Sequence, residues 1–430
     1  MEKLTKEQIA DALKVFSPAT DSKLLSHLNS CVRCGLCADS CLYYLTSGEE
    51  QHIPANKVDM VSSVYRRYAT FLGKLTPALV NARELDHDNV KEMTDVLFGA
   101  CTMCGRCVAH CSVGVDIEYI VRKGREMLAR MGFVPPSLQA TVDAALETGN
   151  NMAIPEEELL DTLEWMEEEL RDELDDPDAR IPVNQPGAAV LYTLNPREPK
   201  FFPLSIAAMA KIFYAAGESW TLSTQMYDVT NYAFFSGKPD QAKTIADRML
   251  SEMDNMKAGK LVLAECGHGA RANRWEAPNY VGTGFPETIT SVELIADYLK
   301  QGRIRTDCEL NPETYTLHDP CNLVRMGGIC REQRYILENT VKRFVEMTPH
   351  GIDNYCCGGG GGQLAMGEYN ERRLKIAEIK AEQIRKTGAG VVVAPCHNCV
   401  DQLTQINIAY KLNVHIKTIA EVVSDALVLP

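Results

Sequence analysis

Two stretches, Cys31-Val-Arg-Cys34-Gly-Leu-Cys37-Ala-Asp-Ser-Cys41 and Cys101-Thr-Met-Cys104-Gly-Arg-Cys107-Val-Ala-His-Cys111, decide how the N-terminal third of the chain is read. Each places three cysteines two residues apart and a fourth after three more, the spacing that wraps cubane [4Fe-4S] clusters. Three closely spaced thiolates cover one face of a cubane, and the fourth, starting the next helix, reaches the neighbouring cluster. The spacing therefore predicts Cys31, Cys34, Cys37 and Cys111 around one cluster and Cys101, Cys104, Cys107 and Cys41 around the other. Gly35 and Gly105 fall between cysteines, where the backbone must curl and bring its amides near cluster sulfurs. Leu42 and Ser112 follow the fourth cysteines where proline is common, a departure that bears on the turn and leaves the thiols in place. Zinc would use cysteine pairs in tetrahedral sets, which two uninterrupted runs of four do not resemble. His110, beside Cys111, reads as a helix-packing residue.

The rest of the chain is consistent with a protein built around thiolates. Its 430 residues, 45% hydrophobic, suffice for two or three compact domains. A net charge of -14 leaves no basic stripe for nucleic acid. The first sixteen residues read as a charged amphipathic helix with Leu4, Ile9, Leu13 and Phe16 on related turns, unlike a signal peptide. The longest apolar stretch, Pro203 to Ala216, is interrupted by Lys211 and falls short of a bilayer span. Sixteen cysteines without export signals point to a reducing compartment, and the cytoplasm is expected.

Four segments are expected in an α+β, multidomain chain. A helical domain with both cysteine runs covers 1–135. An acidic helical linker covers 136–187, with Leu159, Leu163, Trp165, Met166, Leu170 and Leu174 suiting one helix that is largely solvated and packs along one face. Alternating short apolar runs and helical segments then predict βα layers, in two half-domains, 188–300 and 301–430. The halves repeat. Leu261-Val-Leu-Ala-Glu-Cys266 matches Val391-Val-Val-Ala-Pro-Cys396, each a buried-type strand ending in a cysteine. Asn231-Tyr-Ala-Phe matches Asn354-Tyr-Cys356-Cys357, and Tyr192-Thr-Leu-Asn-Pro196 resembles Tyr315-Thr-Leu-His-Asp-Pro320. In the first half Ala233 and Phe234 stand opposite Cys356 and Cys357, and Gly269 stands opposite Cys399, so only Cys266 remains. That half is expected to keep the fold and lack a cofactor.

The second half gathers Cys321, then Cys356-Cys357 followed by five glycines, then Cys396-x2-Cys399. Five thiolates exceed the four terminal ligands of one cubane, and zinc or a cubane with one spare thiol are the competing readings. Aiming two adjacent cysteines at one group needs a sharp turn, which Gly358 to Gly362 supply. No Gly-Lys-Ser/Thr follows the glycines, so a phosphate loop is not indicated. Cys308 and Cys330 read as buried thiols, Cys330 near enough to Cys321 to support it.

The 59 residues between Cys41 and Cys101 exceed what a small ferredoxin needs. With the two runs they resemble the α-helical ferredoxin module of the heterodisulfide reductase family. Cys321, Cys356-Cys357 and Cys396-x2-Cys399 resemble the cysteine-rich "CCG" domain of the same family, with gaps of 34 and 38 residues, the second slightly long. The resemblance implies that Cys321, Cys356, Cys357, Cys396 and Cys399 bind a noncubane [4Fe-4S] assembly, with Cys356 and Cys357 at the reacting centre. His318 and His397 flank these cysteines as candidate proton donors.

A single complete CCG half is similar to the cytoplasmic iron-sulfur subunits of membrane redox complexes in sulfate reducers. It implies an electron-transfer subunit passing electrons between two cubanes and a noncubane site suited to thiol or disulfide chemistry. No flavin or nicotinamide fingerprint is present, so such chemistry falls to partners: a membrane cytochrome or quinone module, a soluble flavoprotein, or a small sulfur carrier or disulfide substrate. Any membrane attachment would run through a partner subunit. One alternative is a pure electron relay. Another is the iron-sulfur subunit of a glycolate, lactate or glycerol-3-phosphate dehydrogenase complex, disfavoured because those subunits usually keep both CCG halves.

Overall fold

The computed structural model describes residues 4–17, 21–282 and 284–429, which group into two compact units. The first comprises residues up to Ala140 together with Tyr232–Pro239 and Gly358–Ile379, and the second comprises Thr141–Asn231, Asp240–Cys357 and the chain from Lys380 on. Chain order alone suggests boundaries near 136, 188 and 301, but the structure divides the polypeptide differently. Two short segments from the C-terminal two-thirds pack with the helical unit, and the acidic segment joins the second unit. Among the described residues no helix is long and apolar enough to cross a membrane.

The first unit is helical because its longer segments carry helix-period apolar faces and clear start signals. Pro54–Ala69 begins with proline at its first position, where the missing N–H costs nothing, and ends with Arg66 and Arg67 against the negative end of the helix dipole. Ile117–Arg130 is capped by the Asp116 carboxylate, which accepts from Tyr119 N at 3.0 Å, and buries Ile120, Val121, Met127 and Leu128. These two helices pack together, and His87–Leu97, capped by Asp86, lies against the second of them.

The second unit contains two four-stranded, all-parallel sheets. The first takes the order β2-β1-β3-β4, from Val190–Tyr192 (β1), Trp220–Leu222 (β2), Lys260–Leu263 (β3) and Thr288–Thr290 (β4). The other takes the order β6-β5-β7-β8, from Thr314–Leu317 (β5), Arg343–Phe344 (β6), Val391–Val393 (β7) and His415–Lys417 (β8). Strands β1 and β7 read as uninterrupted apolar runs, and β3 does so after Lys260, as suits strands covered on both faces. Corresponding strands of the sequence match occupy corresponding places: β1 pairs β3 through Leu191 and Leu261, and β5 pairs β7 through Thr316 and Val392.

The acidic helix Glu156–Leu174 buries Leu159, Leu163, Met166 and Leu170 and packs on Leu204–Ala216. Its single packed face is as expected, except that Trp165 is 57% exposed.

The carboxyl ends of the inner strands carry the chemistry-bearing residues. β5 leads to His318 and Cys321, β7 to Cys396, β3 to Cys266 and β1 to Asn195, the edge at which open parallel sheets present ligand-binding groups. The two sheets are pinned together at that edge. Glu265 accepts from Ile419 N and Ala420 N at 2.9 and 2.7 Å, its carbonyl accepts from His397 N at 2.8 Å, and Arg197 reaches Asn398 and Asp401.

Candidate metal centres

In the first unit the eight thiols of the two runs separate into two cavities. Cys31, Cys34, Cys37 and Cys111 line one, and Cys41, Cys101, Cys104 and Cys107 line the other. Each fourth cysteine thus stands with the opposite run. The runs bend alike: Arg33 and Met103 have φ +55° and +52°, and Gly35 and Gly105 have φ +84° and +70°, so each loop visits the left-handed region twice in three residues. Such alternation turns amides inward, and Met103 N lies 3.4 Å from Cys101 Sγ. Cys41 caps the Leu42–Ser47 helix as expected, whereas Cys111 is followed by a turn, Val115 N donating to its sulfur at 3.3 Å. His110 is exposed, contrary to its expected packing role, because the short helix Arg106–Ala109 ends there.

The electrostatics of these cavities call for a cation. Burial and then the neighbouring Cys104, Cys101 and Cys41 thiolates push the Cys107 thiol far up, and burial drives Cys37 to about 11. Four soft sulfurs forced together in low dielectric are unstable as thiolates without positive charge between them, and a four-iron cluster supplies it. One protein cation already serves the second cavity. Burial pulls Lys57 down, but the facing thiolates of Cys41, Cys101, Cys107 and Cys104 outweigh it, and the ammonium is held above its ordinary value.

The second unit brings the C-terminal thiols into two buried sets that meet at Cys356 and Cys357. Cys321 and Cys356 sulfurs are 4.0 Å apart, those of Cys357 and Cys399 are 3.5 Å apart, and Cys396 is hydrogen-bonded with Cys399. Adjacent Cys356 and Cys357 therefore reach different members of the same group. The surviving cysteine of the first half is there too. Cys266 is hydrogen-bonded with Cys396, and its sulfur receives Gly269 N at 3.2 Å and the Asn195 amide at 3.4 Å. Gly267 N donates to Cys396 at 3.3 Å. Cys396 is accordingly the thiol favoured as thiolate, lowered by hydrogen bonds from Cys266 and Cys399, while burial raises Cys266. A noncubane assembly fits this donor set, since five soft, buried sulfurs lie in two adjoining sets and a backbone amide, Gly267 N, is turned toward one of them.

His318 is fully buried, its ring within 4.8 Å of the Cys357 and Cys399 sulfurs, and burial followed by Lys380 holds it down to about 3, a neutral imidazole. His397 does not face the site with a spare nitrogen: Nδ1 engages Glu265 O at 3.1 Å and Nε2 engages Ser205 Oγ at 3.0 Å. The sequence match places it after a strand but does not say which way its ring turns. Cys330 is held by Arg334 at 3.3 Å, and Arg334 pairs with the buried Asp319 next to His318. Cys308 is half-buried in a single turn, Cys308–Leu310, away from this group.

Lys380 escapes a reading of the sequence. It is fully buried, donates to Asn354 Oδ1 at 2.9 Å, and faces the Cys357, Cys356 and Cys399 sulfurs, burial bringing it down to about 8. A lysine within Glu378–Thr387, an apparently ordinary polar helix, carries no local signal of this.

The run of five glycines has a second task in the first unit. Gly361 has φ +63°, and a Cβ there would stand 2.8 Å from the backbone of Thr102, between Cys101 and Met103. Gly361→Ala is expected to cost about 2–3 kcal/mol through left-handed strain and a clash with backbone that cannot yield. Denaturant unfolding of the anaerobic protein would measure it.

Comparison with known proteins agrees with both sites. Residues 27–115 match the 4Fe-4S dicluster domain and residues 315–404 the cysteine-rich domain. The chain is 29% identical to the Hdr-like menaquinol oxidoreductase iron-sulfur subunit of Archaeoglobus profundus, over 94% of this chain and 80% of that protein. It is 26% identical to a dihydromethanophenazine:CoB--CoM heterodisulfide reductase component of Methanosarcina mazei, over 96% and 98%. It is also 22% identical to the EtfAB:quinone oxidoreductase of Syntrophomonas wolfei, over 89% of this chain and 55% of that protein. Two [4Fe-4S] clusters in the dicluster domain and a distinct cluster in the cysteine-rich domain follow. With both domains on one polypeptide, the chain is an iron-sulfur electron-transfer subunit of an oxidoreductase, similar to heterodisulfide reductase-like subunits.

Proposed function

We propose that Cys31, Cys34, Cys37 and Cys111 hold one cubane, that Cys41, Cys101, Cys104 and Cys107 hold the second, and that Cys321, Cys356, Cys357, Cys396 and Cys399 hold a noncubane [4Fe-4S] assembly in the complete half of a duplicated domain. When bound, these groups supply one-electron transfer and, at the third, a place for sulfur chemistry. The observation that carries the reading is the pair of buried thiol sets, Cys321 with Cys356 and Cys357 with Cys399 and Cys396, joined where Cys356 and Cys357 are adjacent in the chain. His318, beside Cys357 and Cys399, is the candidate group for handling a proton at a substrate sulfur. Lys380 offsets thiolate charge on the same face, and His397 positions the Cys396 loop through Ser205 and Glu265. The substrate class is a thiol, disulfide or persulfide, with electrons exchanged through partner subunits.

A relay without its own substrate is the second reading. Ala233 and Phe234 replace a cysteine pair in the first half, so a second noncubane group for a two-electron disulfide cleavage is missing. The resemblance to an EtfAB:quinone oxidoreductase fits a flavoprotein or quinone module as partner. Anaerobic reconstitution separates the readings. About twelve irons per chain are expected, four for each group. Reduction of a small disulfide that is lost in Cys357→Ala supports sulfur chemistry, whereas electron transfer with no disulfide consumed supports the relay. Zinc in place of iron would remove both.

A further inference from the structure

The two thiol cavities of the first unit differ in charge. At the Cys41, Cys101, Cys104 and Cys107 cavity stands Lys57, 2% exposed, its Nζ donating to Ala100 O and lying 3.9 Å from Cys41 Sγ. Arg125, fully buried, donates from Nη2 to Cys101 O at 2.8 Å, and Arg106 lies between Cys104 and Cys107. Glu118 lines the same cavity and offsets one cation. At the Cys31, Cys34, Cys37 and Cys111 cavity the cation is Arg33, whose side chain is 56% exposed and paired with Asp59. Its charge is screened twice, by water and by a carboxylate.

One competing effect favours the first cavity. Ala55, at the N-terminal turn of Pro54–Ala69, hydrogen-bonds to Cys37, bringing the positive end of a helix dipole to that site. A helix terminus counts for roughly half a charge and fades within one turn. Lys57 is a whole charge, and its buried position keeps water from weakening it.

Resting on the reading that these cysteines hold cubanes, we propose that Lys57 makes the Cys41/Cys101/Cys104/Cys107 cluster the more readily reduced of the two. Adding an electron makes a cluster more negative, and a fixed ammonium against its sulfurs stabilises the reduced form selectively. The step is a bare electron exchange: the first cluster is oxidised by one electron, the second is reduced by one, and no bond or proton moves. Lys57 is a positioning residue for electrons, and its helix contributes to both sites from two residues in one turn, Ala55 and Lys57.

The test is a redox titration followed by electron paramagnetic resonance on the full-length, anaerobically reconstituted chain. Two cubane signals should titrate separately. Lys57→Met, which keeps the packed stem, should lower one of them by at least tenfold in its reduction equilibrium, about 59 mV for one electron. Lys57→Arg should restore it. In a Cys34→Ala background, which removes the first cubane, the surviving signal should be the one that Lys57→Met moves. If Lys57→Met fails to assemble, Cys34→Ala and Cys104→Ala give the order directly, and the cubane left in Cys34→Ala should titrate higher. A shift in neither cubane, a shift in the one lost with Cys34, or the reverse order overturns the proposal. Failure of the underlying ligand reading looks different, because Cys34→Ala would then keep both signals.

Discussion

Arg125→Met is expected to remove a large share of the stability of the first unit, about 3–5 kcal/mol against a typical total of roughly 5–15. No part of Arg125 is exposed, and its guanidinium satisfies four carbonyls at once. Nε donates to Leu97 O at 2.9 Å, Nη1 to Phe235 O at 2.8 Å and to Gly361 O at 2.7 Å, and Nη2 to Cys101 O at 2.8 Å. The plane lies over Phe98, Cζ 4.7 Å from the ring centroid. Removing the guanidinium strands three buried acceptors and one part-buried one, each with its own desolvation cost. Lysine would not rescue, since a single ammonium cannot span a fork of carbonyls fixed for a planar group. Thermal unfolding of the anaerobic protein, comparing Arg125→Met and Arg125→Lys with wild type, checks both statements. Similar midpoints for all three would contradict them.

The second large effect concerns two cysteines on matching strands. Cys396→Ala is expected to release the C-terminal iron, about four of twelve atoms per chain, while Cys266→Ala keeps it. Cys396 sits in the thiol set of Cys357 and Cys399 and receives Gly267 N and the hydrogen bonds of two neighbouring thiols. Cys266 is already served by Gly269 N and the Asn195 amide, and it approaches the group only through Cys396. Iron analysis and visible absorption after reconstitution distinguish the two variants. Equal iron loss in both would make Cys266 a ligand, and retention in both would remove Cys396 from the set.

How far the sequence can be read depends on the range of the forces involved. The cysteine spacings are local, so they predict both cavities of the first unit, including the crossed fourth cysteines. The apolar runs Leu261–Leu263 and Val391–Val393 and the cysteines that follow them are equally legible, because a strand buried on both faces leaves an unbroken signature in the chain. Charges inside the protein leave none. Lys57, Arg125 and Lys380 lie on helices whose polar residues read as solvent-facing, and their partners are carbonyls and sulfurs separated from them in sequence. Glu156–Leu174 is legible in its packed face, since Leu159, Leu163, Met166 and Leu170 recur at helix spacing, whereas the helix that this face meets is not written in the segment. Cys266 is legible as a cysteine at a strand end but not as a neighbour of Cys396, since the meeting of two sheets is not written in either.

Segments 232–239 and 358–379 are threaded through the helical unit from far along the polypeptide. Cutting the gene after residue 140 would therefore not liberate a self-sufficient ferredoxin, because Phe235 and Gly361, two of the four seats for the Arg125 guanidinium, would be left on the other fragment. Inheritance of this electron carrier has to proceed as a single piece, and recombination at the apparent border between its modules should be poorly tolerated.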